Sequence, residues 1–447
     1  MKKAVFLFFS FILFSCCIEQ KEQQENEYRA DTNWTFMFYF GADNDLEYFL
    51  LRNIKQLKES YTGNVNVILL VDRSASYSSN SQILGDDFTG KRIFQLLPNS
   101  KLQSINRDFN NDENQAQTLK KFIKLGKEMF PAKHYALFIG SHGGGARNAN
   151  YNVVYSQSRK DWIYTHNFSD VLSIDESVDL LALDACFMGN LEFLYQIRPG
   201  NGSFQTDFVV ASAPTEWSYG WDYENLFVKI SKYKSDEITP MSLGELILEN
   251  HKNYTEHEEL DDQVLSLFDM QKIADVKKAT DDFFVIAKDM KKELCELRGY
   301  NYISQKDTLH YFDSSAYYEW LEYPYFDLYD IAEKSKIYET LSIQAKYLTE
   351  SVEQAIINSF GGSYFKRFIE RKNGLSIFFP DGDRLLGGET MWENQKWYNA
   401  KVVSNQGELA FCKDGATENN QIVENYFEVL DFWFDSDNTE DTNEYMY

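Results

Sequence analysis

The chain has 447 residues, 43% of them hydrophobic, with 44 Lys and Arg against 69 Asp and Glu for a formal charge of −25. That size supplies one large core plus a second domain or extension, and excludes a small stapled scaffold. So acidic a surface disfavours nucleic acid and attracts cationic ligands, within the range that salt leaves unscreened.

Lys2 and Lys3 precede an apolar run from Ala4 to Phe14, the charged and hydrophobic regions of a secretory signal. The run is too short to remain as a bilayer-spanning helix. Leu13-Phe14-Ser15-Cys16 is similar to a bacterial lipobox, which implies a signal peptide over 1–15 and a lipid anchor at Cys16. A soluble export signal cleaved elsewhere is the alternative. Residues 16–33 are polar and without hydrophobic period, the composition of a flexible tether. Position 17 is not Asp, which by likeness to other lipoproteins points to the outer membrane or cell surface. With Cys16 and Cys17 assigned to the anchor, Cys186, Cys295 and Cys412 remain. An odd, widely spaced set in an exported protein argues against a disulfide framework and leaves a free thiol. No Cys/His cluster has zinc-site spacing.

Trp34 to Phe40 predicts a central strand, followed by Asn44 and Glu47 at capping-box spacing and a helix with Leu46, Leu50, Ile54 and Leu57 on one face. Val65 to Val71 is the next strand. The stretch to Gln95 reads as a surface excursion with one hairpin. Leu119, Phe122, Ile123 and Gly126 mark a second helix, ended by Pro131. A third strand, Tyr135 to Ile139, runs into Gly140-Ser141-His142-Gly143-Gly144-Gly145, where glycines let a ligand approach the main chain. Residues 146–168 read as a loop carrying Arg147, Arg159 and Lys160. Leu180 to Leu183 is a fourth strand, and helical spacing resumes from Phe187, which puts Cys186 at a strand's carboxyl end and a helix N-terminus. A helix dipole there would favour thiolate. Phe208 to Ala213 is a fifth strand, leading into the aromatic and acidic PTEWSYGWDYENLF.

Strands alternating with helices predict an α/β fold with a mostly parallel central sheet and helices on both faces, over 34–235. Residues 236–447 read as largely helical, over Met241–Glu256, Met270–Leu297 and Thr340–Phe360, with a strand near 374–380 as a candidate to rejoin the main sheet. There is no internal repeat.

His142 and Cys186 therefore end separate strands of one sheet, His first, an order and spacing like those of caspase-type peptidases. WTFMFYFGADNDLE, VNVILLVDR, the strand ending in SHGGG, LDACFMG, the YGWDY loop, DLYDIA and GLSIFFP together resemble the clostripain family of cysteine peptidases. The resemblance implies a caspase-like α/β/α sandwich and a cysteine endopeptidase. It implies His142 and Cys186 as a catalytic dyad, with the backbone N–H groups of Gly143 and Cys186 as the oxyanion hole. Family members cleave after Arg or Lys, and the acid two residues before the Cys, here Asp184, lines the pocket for that side chain. Helix capping is the alternative role for Asp184. Glu216 and Asp222 are further pocket acids to consider, with Trp221 as a wall against the cation's stem. Self-cleavage in the 146–168 loop, after Arg147, Arg159 or Lys160, is also implied. The chemistry needs no cofactor; some members depend on calcium, and no loop here has EF-hand spacing. The implied partners are peptides with basic residues and, through Cys16, a membrane. Two other readings stay open: a non-catalytic peptide-binding protein on the same fold, and a peptidase with a non-basic P1 preference.

Overall fold

The computed structural model describes residues 32–74, 77–78, 81–98, 100–105, 113–145, 153–298, 309–311, 325–379, 409–416 and 422–434. The signal, Cys16, nearly all of the tether and Arg147 lie outside them.

The sheet grows outward from β1 (Trp34–Ala42), nine buried residues with apolar side chains on both faces. β2 (Asn66–Arg73) and β5 (His134–Gly140) flank it in parallel. Beyond β2 come β3 (Gly90–Leu97) and β4 (Lys101–Ser104), both antiparallel, so the excursion expected before Gln95 returns as sheet edge. On the other side, β8 (Val178–Asp184) and β9 (Thr206–Ala211) continue in parallel. β10 (Val264–Asp269) and β12 (Ile356–Gly361) complete nine strands in the order β12-β10-β9-β8-β5-β1-β2-β3-β4.

Strand alternation splits the core in two. Trp34, Phe36, Phe38 and Phe40 face α1 (Glu47–Ser60), α4 (Tyr223–Ile230) and α5 (Pro240–His257). Met37 and Tyr39 face the layer of α2 (Gln115–Met129), α3 (Leu191–Gln196), α6 (Ile273–Ile286) and α8 (Ser342–Ala355). The result is an α/β/α sandwich whose parallel strands are buried on both faces, as parallel sheets require.

Several expectations change. The main sheet does not stop near 235, since β10 and β12 come from beyond it. The helix expected to reach Phe360 ends at Ala355, where β-branched Ile356 and Ile357 begin β12. The strand near 374–380 does not join the main sheet: β13 (Ser376–Phe378) pairs antiparallel with β11 (Tyr325–Asp327), just before α7 (Leu328–Ser335). The 146–168 loop contains a hairpin, β6 (Val154–Ser156) with β7 (Asp161–Ile163). No capping box forms at Asn44, because Glu47 is drawn into a buried ion pair, Arg73 Nε to Glu47 Oε1 at 2.8 Å.

Candidate active site

The register of β5 on β8 pairs Gly140 with Asp184. His142 and Cys186 each lie two residues past that pair, so the imidazole and the thiol emerge at the same edge from adjacent strands. Their main chains touch: a β-carbon built on Gly143 would sit 2.0 Å from the Cys186 carbonyl oxygen and 2.6 Å from its nitrogen. Only glycine fits there. The Gly143 N–H reaches the Cys186 sulfur, as does the residue's own N–H.

The turn after β8 is held tightly. Phe187 takes φ +60°, a costly conformation for an aromatic residue. It persists because Phe187 N–H donates to the Pro214 carbonyl at 2.9 Å and Gly189 N–H to that of Ser212 at 2.7 Å. The Phe187 ring stacks on Tyr325, whose hydroxyl donates to the Gly144 carbonyl at 3.0 Å. β11 thereby clamps the glycine loop and the cysteine loop together.

Helix α3 starts only at Leu191, with Asn190 as its cap, so Cys186 is not at a helix N-terminus as expected. The sulfur lies under the following loop, accepting from Glu216 N–H at 3.3 Å and 3.6 Å from the Glu216 carbonyl. Burial pushes the thiol up, opposed by the N–H groups of Glu216 and Gly143 and reinforced by Asp184.

Sequence reasoning found no partner for His142. The structure provides one: Nε2 lies 2.6 Å from Asp45 Oδ1, in the β1–α1 connection. That hydrogen bond to His142 holds the Asp45 carboxyl below its ordinary value. A neutral imidazole donating Nε2–H to it keeps its lone pair on Nδ1. An acid just past the carboxyl end of the neighbouring strand was the available signal.

Asp184 does not cap a helix. Its Oδ2 accepts from Tyr223 Oη at 2.9 Å and Trp221 N–H at 3.2 Å, and its carboxyl faces that of Glu216. Glu216 Oε2 accepts from Trp221 Nε1 at 3.0 Å. Burial, then the facing Asp184 charge, raises Glu216 well above the ordinary carboxylate range. Asp184 is raised as well, by burial, with bonds from Glu216, Trp221 and Tyr223 opposing. Two facing buried carboxyls repel one another as carboxylates, which is the direction in which both are displaced.

Of the other pocket candidates, Trp221 is a buried wall beside this acid pair. Asp222 turns away: it caps α4, accepting from Asn225 N–H at 3.2 Å. Arg159 is engaged, bonded to Asp72 and 3.5 Å from Asp43. Lys160 is exposed, at φ +50° in the β6–β7 turn. Among the described residues, no three His, Cys, Asp or Glu side chains converge on a metal site.

A nine-stranded, mostly parallel sheet packed between two helical layers is the caspase-like α/β architecture of cysteine proteases. The Clostripain family model matches residues 38–433, and this chain belongs to that family. It is 36% identical over 462 residues to clostripain of Hathewaya histolytica, covering 90% of this chain and 87% of that one. Its fold matches an inactive zymogen C11 protease from Parabacteroides distasonis (TM-score 0.56, 18% identity, 83% of this chain and 99% of that one). It also matches a secreted C11 cysteine protease from Bacteroides thetaiotaomicron, solved with an irreversible peptide inhibitor (TM-score 0.54, 17% identity, 82% and 98%). The protein is a cysteine protease, and its chemistry requires no cofactor.

Proposed function

We propose that the chain is an exported, lipid-anchored endopeptidase that cleaves after Arg or Lys, with Cys186 as nucleophile and His142 as acid–base. The observation that carries this is the Gly140–Asp184 pairing, which brings the thiol and imidazole to one edge. Cys186 gives its proton to His142 Nδ1 as sulfur attacks the scissile carbonyl carbon. The oxyanion takes the N–H groups of Gly143 and Cys186, each donor worth about 3–4 kcal/mol at the transition state. Collapse breaks the C–N bond, and the leaving amine takes the proton from His142. A water, deprotonated by His142, then hydrolyses the thioester and the thiol is regained. Asp45 orients the imidazole.

A basic P1 residue is supported by Asp184 and Glu216, two carboxyls facing one another with no Lys or Arg paired to them among the described residues. A guanidinium or ammonium entering between them forms charge-assisted bonds. Activation by self-cleavage between the His142 and Cys186 strands is best supported after Arg147 or Lys160, because Arg159 is tied to two aspartates. The lipobox supports an anchor at Cys16, with the signal over 1–15 and the tether over 16–33. Among the described residues no helix is long and apolar enough to cross a membrane.

The test is a panel of Arg-, Lys-, Asp- and Leu-terminated reporters with wild type and Cys186→Ala, with the N-terminus of each product chain sequenced. Turnover of Arg and Lys reporters by wild type alone, with a new N-terminus only in wild type, is expected. Turnover of Leu without Arg or Lys would overturn the basic pocket, and no turnover by a folded wild type would favour a binding protein. Cys16→Ala should leave the membrane fraction; retention there would remove the lipid anchor.

A further inference from the structure

The stretch DLYDIA carries none of the chemistry above, yet it begins at the last residue of β11, a strand buried throughout. Asp327 fixes that strand in place. Its carboxyl, fully buried, accepts from Gly374 N–H at 2.9 Å, Asp330 N–H at 2.8 Å, Asn373 Nδ2 at 2.6 Å and the Tyr311 hydroxyl. The partner strand β13 is tied to the chain just past the cysteine turn. Ser376 donates to the Gly189 carbonyl twice, from its N–H at 2.9 Å and its hydroxyl at 3.1 Å, and Phe378 N–H donates to Glu192 Oε1 at 2.8 Å. The register sets Tyr325 opposite Phe378, so its ring is delivered between the cysteine turn and the glycine loop. There it stacks on Phe187 with centroids 5.3 Å apart. A β-carbon built on Gly145 would lie 2.2 Å from the Tyr325 hydroxyl, so the loop closes directly onto that oxygen.

We propose that Tyr325 is a positioning residue of the oxyanion hole, its hydroxyl holding the Gly144 carbonyl so that the Gly143 N–H stays aimed at the reacting carbonyl. The inference rests on the reading of Cys186, His142 and the Gly143 N–H given above. Gly143, Gly144 and Gly145 have no side chains to restrict their backbone. A run of three turns the Gly143 N–H out of the site at little cost, and a donor turned away stabilises no oxyanion. Two contacts oppose that motion. Gly143 packs against the Cys186 main chain, which stops the loop from moving closer but not from lifting off. The bond from Tyr325 to the Gly144 carbonyl, at 3.0 Å, draws it down. Only the hydroxyl can do this: phenylalanine would keep the stack on Phe187 and lose the donor.

The experiment compares Tyr325→Phe, and Gly145→Ala whose methyl displaces the hydroxyl, with wild type. The reporter is whichever of the Arg-, Lys-, Asp- and Leu-terminated set wild type cleaves fastest, with kcat and KM read separately and Tm confirming the fold. Alkylation of Cys186 by iodoacetamide is followed in parallel by the mass of its peptide. That reaction forms a sulfur–carbon bond and expels iodide without any oxyanion, so it reports the thiol and imidazole apart from the hole. Tyr325→Phe is expected to lose roughly ten- to hundredfold in kcat, with KM and the alkylation rate unchanged. Gly145→Ala should lose kcat in the same way, and it decides the matter on the same readings if Tyr325→Phe does not fold. Wild-type kcat in folded Tyr325→Phe overturns the role of Tyr325 alone. An equal loss of kcat and of alkylation assigns Tyr325 to packing of the whole site and overturns it too. Turnover that survives in Cys186→Ala, or a wild type that cleaves none of the reporters, overturns this inference together with the reading beneath it.

Discussion

Two pairs of carboxylates stand at the carboxyl edge of the sheet, and they are neutralised in different ways. Asp43 and Asp72, beyond β1 and near the end of β2, hold the Arg159 guanidinium between them, with Ser156 and Ser158 hydroxyls donating to Asp43 at 2.5 Å each. Asp184 and Glu216, at the end of β8 and in the loop beyond, face each other, and burial raises both above their ordinary values. The first pair is a finished structural element that fastens the β6–β7 hairpin to the sheet. The second has, among the described residues, no Lys or Arg paired to it. Burial raises Asp72 even with Arg159 opposing. An acid pair with no such partner is therefore under stronger pressure to accept one.

The largest expected effects separate these two roles. Asp184→Asn keeps the shape and can still accept from Trp221 and Tyr223, but it removes the charge. It should lower kcat/KM on an Arg reporter by on the order of a thousandfold while moving Tm little. Arg159→Met should do the reverse: it removes the guanidinium from Asp43 and Asp72, at about 3–5 kcal/mol of stability, with kcat/KM of the folded enzyme near that of wild type. Paired kinetics and thermal melts decide it. The contrast collapses if Asp184→Asn retains Arg turnover or if Arg159→Met melts with wild type.

A smaller effect concerns pH. Glu216 is raised in the folded protein relative to its ordinary value of 4.5, so the folded state holds more protons than the unfolded chain above that value. The stability this contributes is fully present below 4.5 and is lost as pH rises through the displaced value. Asp184 is raised in the same direction and adds to the trend. Wild type should therefore lose more Tm between pH 5 and pH 8 than Glu216→Gln, whose amide donates the bond without titrating. Parallel melting curves for the two proteins across that range would show that Glu216 does not titrate there.

Much of this was legible in the sequence because periodicity reports burial. β1, β2, β5, β8 and β9 are continuous apolar runs ended by polar or glycine residues, and the sites that follow inherit their positions from those ends. His142 and Cys186 could be placed because both lie immediately past such runs. Local pattern failed where tertiary pairing overrode it. Ile356–Gly361 continues a helical stripe in sequence, yet it pairs with β10, and the pairing partner is about ninety positions away in the chain. The helix expected at Phe187 failed for another reason: main-chain bonds to Pro214 and Ser212, invisible locally, hold the turn open until Leu191. Asp45 was missed because its bond to His142 is made only in the fold.

Asp222 offers the finest test, because sequence proximity made it a pocket acid and geometry makes it a cap. It sits one residue from Trp221, but its carboxylate accepts from Asn225 N–H and from Asn225 Nδ2, the latter at 2.6 Å, at the start of α4. An N-cap satisfies a helical N–H that would otherwise be orphaned, and its loss costs about 1 kcal/mol. Asp222→Ala should accordingly lower Tm by no more than about 2 °C in a chain of this size, and Asp222→Asn, a competent cap, by less. Neither should change the ratio of Arg to Lys turnover. A shifted ratio in Asp222→Asn would mean that its charge is felt by P1, and the acid pair at Asp184 would then be only part of a larger negative pocket.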